Sequence, residues 1–346
     1  MARPAVISCE DLWMVFGDGA DRHKDRLRGP GSPRDIAEEL KADGLIPAVR
    51  GVSFDVHAGE LFVVMGLSGS GKSTVIRCLS RLLEPTSGHV RIDGEDIIGA
   101  PDKRMIELRR QKMGMVFQHF GLFPHMTVAE NVAYPLKVQG ISATERGKRA
   151  AEVIELVGLA GRDDSYPRQL SGGQRQRVGI ARSLAVNPEI WFLDEPFSAL
   201  DPLIRRQLQD EFLRLQAELK KSIVFITHDI AEALKLADRI AIMRDGEIVQ
   251  IGTPAEIVLA PADAYVAEFA RDIPRGKMMT VENIMSPCAP GEAANGQVLA
   301  TGMSLDDALT ACAEGLADMQ VCDGQGAVIG RITPQDLVRA LGANAA

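Results

Sequence analysis

The sequence has no run of about 18 or more apolar residues, the length that a membrane-crossing helix requires. Its first residues, Met1 to Glu10, also lack the basic region, apolar stretch and cleavage site of a secretory signal. The chain is therefore expected neither to span a membrane nor to be secreted.

Cysteine and excess positive charge are scarce as well. Five cysteines are scattered without a C-x-x-C pair, which indicates neither a disulfide framework nor a zinc site and fits a reducing cytoplasm. The formal net charge is -8, so the overall field repels phosphate backbones and any bound phosphate must be held by local groups. Nucleic acid is not expected as a partner.

What is present is the balance of a globular protein, with 46% hydrophobic and 25% charged residues. A chain of 346 residues suits one large domain and a smaller one. After residues 273–276 the composition shifts toward small residues and turn signals. We therefore expect a first domain over residues 1–273 and a second over 277–346.

Apolar strands alternate with helical stretches through the first domain, which predicts an α/β fold with a largely parallel core sheet. Residues 6–16 are predicted to form a short strand pair. Ser32 as N-cap, Pro33 and Asp35 predict an inserted amphipathic helix over about 32–43. Helical segments between the strands predict an inserted helical subdomain over about 120–185. The predicted core strands are residues 61–65, 113–117, 190–193, 223–227 and 240–243.

A glycine-rich loop follows the first of these strands and leads directly into a helix. It matches G-x-x-x-x-G-K-[ST], the phosphate-binding pattern, in the context that the pattern requires. Backbone N–H groups and the helix N-terminus favour bound phosphate, so Lys72 is expected on the β- and γ-phosphates, Ser73 on Mg²⁺ and Thr74 on the α-phosphate. The alternative, a turn that only caps a helix, requires neither Lys72 nor Ser73. The loop comprises Gly66, Leu67, Ser68, Gly69, Ser70, Gly71, Lys72 and Ser73.

Two acidic residues end another apolar strand. Asp194 emerges at the carboxyl end of residues 190–193, where ligands of open α/β sheets bind, and is expected to face the metal. Glu195 is expected to act as general base toward the attacking water. Capping of the following helix is the alternative role for this pair.

A second helix start carries small residues, Ser171, Gly172, Gly173 and Gln174 after Leu170. Its free N–H groups could bind a second anion, although an ordinary N-cap has the same appearance.

In combination these motifs resemble the nucleotide-binding subunit of ABC transporters. The resemblance covers roughly residues 5–272, with Walker A at 66–73, the signature at 170–174 and Walker B ending at Asp194 and Glu195. It implies a P-loop ATPase fold, a Q-loop glutamine at Gln118 that also serves the metal, and a D-loop from Ser198 to Asp201 that contacts nucleotide. It further implies that His228 senses the γ-phosphate. Without the resemblance, His228 would be interpreted as a structural residue at the end of a strand.

The same resemblance implies a homodimer in which Ser171 and Gly173 of one subunit face the γ-phosphate held by Lys72 of the other. An aromatic residue is expected to stack on adenine, and Phe16 at a strand end is preferred over Trp13. ATP and Mg²⁺ are the implied cofactors. Transmembrane permease subunits at the cytoplasmic face of a bacterial inner membrane are the implied partners, with a periplasmic or lipid-tethered substrate-binding protein beyond them.

Within the family, the sequence is similar to importers of quaternary amines such as glycine betaine, proline betaine, proline or choline. This likeness lies in residues 65–71, 115–118 and 196–205 and in the insert before Ala48. A histidine or amino-acid importer is an alternative, and a soluble ABC ATPase without a membrane partner is another. The family likeness also implies that residues 120–132 receive the permease, against the alternative that they form subdomain core.

The last residues are predicted to form helix, strand, strand and helix over 304–312, 319–321, 328–332 and 334–341. This order resembles one CBS repeat, in which Thr333 and Asp336 would contact an adenosyl nucleotide. The same residues are a good helix N-terminus. Dimer contact and nucleotide sensing are the two roles considered for this α+β segment.

Overall fold

The structure is a computed structural model that describes residues 4–117, 121–198, 200–271, 276, 279–288, 298–312, 318–323 and 326–342. The chain divides into two compact units after Thr253, about twenty residues before the boundary expected from composition. The assignment of residues 254–273 to the first domain therefore stays a prediction.

The first unit contains ten strands and nine α-helices among its described residues. The strands are β1 (Ala5–Phe16), β2 (Ile46–His57), β3 (Leu61–Met65), β4 (Ser87–Ile92), β5 (Glu95–Asp96), β6 (Met113–Val116), β7 (Ile190–Asp194), β8 (Ser222–Thr227), β9 (Arg239–Arg244) and β10 (Glu247–Gly252). The helices are α1 (Lys24–Leu27), α2 (Pro33–Ala42), α3 (Lys72–Leu79), α4 (Asp102–Gln111), α5 (Val128–Val138), α6 (Ala143–Leu156), α7 (Gly172–Ala185), α8 (Pro202–Leu219) and α9 (Ile230–Leu236).

The central sheet has the order β10-β9-β3-β8-β7-β6. Neighbouring strands are parallel except for β9 and β10. Every residue of β3, β7 and β8 is buried, as expected of parallel strands covered on both faces. The predicted α/β fold with a largely parallel core sheet is confirmed.

A second, antiparallel sheet has the order β2-β1-β4-β5. Its apolar side chains share one core with β3 and α3, including Leu12, Val56, Phe62 and Ile76. The prediction of a strand pair over residues 6–16 is wrong, because β1 is one strand whose register shifts between Cys9 and Leu12. Asp11 absorbs the extra residue with a left-handed φ of 46°, a β-bulge that resembles a turn in the sequence.

The residues between β1 and β2 form a small core of their own. Helix α2 begins after Ser32, whose hydroxyl accepts a hydrogen bond from the Asp35 amide at 3.2 Å. It lies where the sequence predicts the insert helix. Its apolar face packs with the ends of the two flanking strands in a cluster of Trp13, Val15, Leu27, Ile36, Leu40 and Leu45.

The helices α5, α6 and α7 are each capped at their N-termini by Thr127, Ser142 and Ser171. The loop before α5 is held by the buried Asn131. Its amide oxygen accepts from the Phe123 N–H at 2.8 Å, and its amide nitrogen donates to the carbonyls of Phe123, Met126 and Thr127. Because a buried polar side chain must satisfy its donors and acceptors, Asn131 fixes the path of this loop.

The second unit contains the helices α10 (Pro254–Leu259), α11 (Ala264–Ala270), α12 (Leu305–Cys312) and α13 (Pro334–Gly342), and the strands β11 (Ser286–Pro287), β12 (Val298–Ala300), β13 (Met319–Cys322) and β14 (Val328–Ile332). Its sheet has the order β11-β14-β13-β12, with β12 and β13 parallel and the other pairs antiparallel. The helix, strand, strand and helix expected from the sequence are present. No described helix combines the length and the hydrophobicity that a membrane crossing requires.

Candidate active site

The loop between β3 and α3 is held against backbone on both sides. A Cβ atom at Gly66 would lie 2.3 Å from the Met243 carbonyl oxygen, and one at Gly71 would lie 2.4 Å from that of Ala48. The Gly246 amide donates to the Ser70 carbonyl at 3.1 Å. The loop therefore requires glycine at both positions, and its N–H groups are set in one arrangement before any ligand binds.

Lys72 opens α3, and its side chain folds back into the loop. Its Nζ donates to the carbonyls of Gly66 at 2.9 Å and Leu67 at 2.8 Å. Burial lowers the pKa of Lys72, and the negative charges of Glu195 and Asp194 oppose that shift. The ammonium group is thus positioned by the loop that surrounds it.

Ser73 and Asp194 connect the loop to the carboxyl end of β7. The Ser73 hydroxyl donates to Asp194 Oδ1 at 2.9 Å. Burial raises the pKa of Asp194, while the Ser73 hydrogen bond and the Arg77 charge act in the opposite direction. A hydroxyl and a carboxylate oxygen, the kinds of ligand that Mg²⁺ takes, therefore lie side by side.

Glu195 and His228 form the second polar pair. Glu195 Oε2 lies 3.1 Å from His228 Nδ1. Glu195 has a left-handed φ of 46°, an uncommon conformation for a residue with a side chain and one often found at functional sites. Its amide donates to the Ile226 carbonyl at 3.0 Å, so β8 holds the acid close to the histidine that follows the same strand.

A cavity of about 540 Å³ lies over the loop. It brings together most residues predicted for the phosphates, with Glu195 and His228, but Phe16 does not line it. Phe16 lies at the end of β1 opposite Ile46 and is 38% exposed, so its adenine contact stays a prediction. Ala48, which the sequence argument missed, does line the cavity. The lining residues are Ala48, Leu67, Ser68, Gly69, Gly71, Lys72, Ser73, Thr74, Glu195 and His228.

The signature residues lie at the N-terminus of α7 and do not line this cavity. The Ser171 hydroxyl accepts from the Gln174 amide at 3.2 Å, and the Gln174 side chain accepts from the Ser171 amide at 2.9 Å. The two side chains thus satisfy each other in a capping box. A Cβ at Gly173 would lie 2.7 Å from Ile204 Cγ2, which explains a glycine there.

Asp201 is the N-cap of α8, where its Oδ1 accepts from the amides of Leu203 at 3.2 Å and Ile204 at 3.1 Å, and a contact with nucleotide stays a prediction. Gln118, predicted for the metal and the Q-loop, and Ala199 of the D-loop lie outside the described residues.

Comparison with known proteins agrees with this geometry. The family model described as ABC transporter matches residues 49–198, which include the phosphate loop, the signature helix and both acidic residues. The chain belongs to the ATP-binding proteins of ABC transporters and is a transport ATPase of that class.

Its relatives include ATP-binding proteins of amine importers. The trimethylamine N-oxide transport system ATP-binding protein TmoW of Pelagibacter ubique is 56% identical over 81% of both chains, and TmoW of Ruegeria pomeroyi is 53% identical over 95% of both chains. The glycine betaine/carnitine transport ATP-binding protein GbuA of Listeria monocytogenes is 52% identical over 81% of this chain and 70% of its own. The expected resemblance to quaternary-amine importers is confirmed.

Among solved structures, the dimeric structure of MJ0796, a bacterial ABC transporter cassette, matches with a TM-score of 0.60 and 34% identity. The match covers 72% of this chain and 98% of MJ0796. The expected ABC-type P-loop fold is thereby confirmed for the part of the chain that carries the site.

Proposed function

We propose that this chain is the ATPase of an importer for small amines with a fully substituted, cationic nitrogen, such as trimethylamine N-oxide, glycine betaine, proline betaine or choline. The observation that carries the proposal is the 53% identity with TmoW over 95% of both chains. That match extends beyond the phosphate loop and signature shared by all such ATPases, and it includes the second unit.

The proposed solutes share one chemical group. Betaines, choline and trimethylamine N-oxide each present a compact cationic nitrogen that carries methyl groups, which receptors recognise with the faces of aromatic rings. Histidine and proline lack that head group. The ATPase does not contact the solute, so the substrate is defined by the membrane partner and the receptor with which this chain assembles.

For the chemical step, ATP is proposed to occupy the cavity over the loop with its β- and γ-phosphates on Lys72. Glu195 takes a proton from the attacking water, and His228 orients Glu195 and contacts the γ-phosphate. Support comes from the placement of all three side chains around one cavity and from the 3.1 Å contact of Glu195 with His228.

Ser73 and Asp194 are the described residues whose oxygen atoms fit Mg²⁺. Gln118 is the third proposed contributor to that site. When bound, the ion neutralises charge on the β- and γ-phosphates. Asp194 helps to define the ion's place because it is 4% exposed and fixed by Ser73.

The working form is proposed to be a homodimer in which α7 of one subunit completes the site of the other. The place of Gly172 and Gly173 in the first turn of α7 supports this, because amides there have no partner within their own helix and the Ser171 and Gln174 side chains bond each other instead. Phe16 is proposed to contact adenine and Asp201 the second subunit's nucleotide.

The permease is proposed to dock on a groove of about 400 Å³ between the central sheet and the helical subdomain. Apolar side chains of Met115, Phe117, Phe123, Tyr134 and Val138 line it together with Arg182. An exposed apolar groove with a charged edge fits a partner helix. This contact would hold the chain at the cytoplasmic face of the inner membrane, with the substrate-binding protein on the opposite side.

Residues 277–346 are proposed to form a single CBS-like repeat that contributes to dimer contact. Thr333 and Asp336 form a reciprocal cap at α13, with the Asp336 carboxylate accepting from the Thr333 amide at 2.9 Å and from its hydroxyl at 2.7 Å. These hydrogen bonds lower the pKa of Asp336. If the repeat instead senses a nucleotide, deleting the residues after Gly276 should change regulation of transport while leaving basal ATPase activity.

The importer proposal is tested by transport in vesicles that contain this chain, its permease and its receptor. Trimethylamine N-oxide, glycine betaine and choline should each be supplied as labelled solutes, with histidine in parallel. Uptake of a trimethylated solute together with ATP hydrolysis supports the proposal. Uptake of histidine alone would favour the amino-acid importer. A soluble ATPase would be favoured if the chain co-purified with no membrane protein and its ATPase activity were stimulated by nucleic acid.

The role of Glu195 is tested by Glu195→Gln, which retains a hydrogen-bonding group beside His228 but cannot accept the proton. The turnover number should fall by about 100- to 10,000-fold, with ATP affinity unchanged and a nucleotide-bound dimer visible by size-exclusion chromatography. A variant that hydrolyses ATP near the parent rate would remove Glu195 from this role.

A further inference from the structure

Arg205 bridges the two segments that carry Glu195 and His228. It lies in the first turn of α8, and its guanidinium donates through Nη1 to Asp229 Oδ2 and through Nη2 to the Leu200 carbonyl, both at 3.2 Å. Its remaining Nε is buried and has no hydrogen-bond partner in the described part of the chain. The planar guanidinium can hold two acceptors in fixed directions.

Asp229 connects this bridge to His228, its immediate neighbour. Its Oδ1 accepts from the amides of Ala231 at 2.9 Å and Glu232 at 3.2 Å, which caps α9. The Asp229 amide also donates to the Thr227 hydroxyl at 3.0 Å. With the backbone on both sides of His228 held in this way, a shift of Asp229 must also move the imidazole.

Leu200 connects the bridge to Glu195. The Ser198 hydroxyl donates to the Glu195 carbonyl at 3.0 Å, so the turn that follows Glu195 closes on itself before it reaches Leu200. The Arg205 guanidinium holds the end of that turn. Both partners of the Glu195 and His228 contact are therefore attached, through short stretches of backbone, to one side chain.

We propose that Arg205 is a positioning residue for ATP hydrolysis, which holds His228 at hydrogen-bonding distance from Glu195 by joining the turn after Glu195 to the segment after His228. The proposal rests on the roles proposed above for these two residues. Arg205 itself contacts neither nucleotide nor water in this scheme. A loss of the bridge would leave the phosphate loop intact and affect the chemical step alone.

The test measures steady-state ATPase activity of the full-length chain. The protein concentration is high enough that specific activity no longer rises with it. Arg205→Met should lower kcat by about 10- to 100-fold, the effect of misplacing a group without removing it, with the KM for ATP within about two-fold of the parent. The kcat of Arg205→Lys should lie between those of the parent and of Arg205→Met, because an ammonium group keeps the charge but lacks the paired geometry of guanidinium. Arg206→Met is the matched control, since Arg206 is exposed and, among the residues that the structure describes, donates only to the Pro202 carbonyl of its own helix.

A double-mutant comparison separates positioning from a general structural role. His228→Ala should lower kcat by about 100-fold, and adding Arg205→Met to it should lower kcat by no more than about three-fold further, because the bridge acts through the histidine. A full multiplicative loss in the double variant, or a parent-like kcat in Arg205→Met, would overturn the proposal. A parent-like kcat in His228→Ala would instead overturn the role of His228, and with it any action of Arg205 through that residue.

Discussion

Replacing Gly71 by alanine should weaken nucleotide binding without unfolding the chain. Gly71 has a φ of 100°, and an added Cβ would lie 2.4 Å from the Ala48 carbonyl oxygen, whereas real Cβ atoms essentially never approach within 3.0 Å. The left-handed backbone costs a residue with a side chain about 1 to 2 kcal/mol. The overlap adds to that cost because its partner is β2 backbone and cannot rotate away.

The free variant can relieve this strain by shifting the loop, but phosphate binding requires the original arrangement of its N–H groups. The free energy needed to restore that arrangement on binding then lowers the affinity for nucleotide. A total of about 2 to 3 kcal/mol corresponds to a Kd for nucleotide raised by about 30- to 140-fold. Calorimetric titration with ADP measures this without interference from hydrolysis.

Gly94→Ala is the matched control for this substitution. Gly94 has a φ of 81° in the turn between β4 and β5, and an added Cβ would meet no atom within 4 Å. It should lower stability by about 1 kcal/mol and leave the Kd unchanged. If Gly71→Ala bound ADP within about two-fold of the parent, the loop would not be held rigidly between β2 and α3, and the reasoning would be refuted.

Three further substitutions test other parts of the structure by thermal or denaturant unfolding. Gln176→Met should stabilise the chain by about 1 to 3 kcal/mol, since both polar atoms of this fully buried side chain lack partners in the described structure; an unchanged or lower stability would contradict this. Asp194→Asn should be more stable than the parent at neutral pH without Mg²⁺. Because burial raises the pKa of Asp194 above its unfolded value, the penalty for the charged form is absent at pH values below the unfolded pKa and grows as the pH rises through the folded one. The advantage of asparagine should therefore shrink on acidification, and a pH-independent difference would argue against the buried charge. Asn131→Ala should cost about 2 to 4 kcal/mol, because it leaves the half-buried amide and carbonyls of the loop before α5 without their side-chain partner; a loss below about 1 kcal/mol would show that water replaces the side chain.

The sequence predicted the site best where one local pattern determines the geometry. The phosphate loop is such a case, because a buried strand, three glycines and a lysine specify both the turn and its ligand. The place of Glu195 after β7 predicts its role, whereas the role of His228 follows from the family resemblance; the parallel neighbouring strands β7 and β8 bring the two residues together.

The remaining features depend on contacts between distant parts of the chain. Nothing near Gly71 indicates that Ala48 lies against it, and nothing near Asp229 indicates that Arg205 lies 24 positions away in sequence and 3.2 Å away in space. The bulge at Asp11 cannot be recognised from the local sequence for a related reason. Two acidic residues interrupt an apolar run there, as a turn would, and only pairing with β2 and β4 shows that the strand continues.

The chain has two tryptophans, and each occupies a different core. Trp13 packs with the insert helix, whereas Trp191 lies three positions before Asp194 in β7 and donates to the Ser183 hydroxyl at 2.6 Å. Trp191→Phe would leave an emission spectrum that reports only on the insert, and Trp13→Phe one that reports only on the strand leading to the site. The protein thus contains two built-in fluorophores with which opening of the insert and unfolding of the ATPase core can be followed separately, without any attached dye.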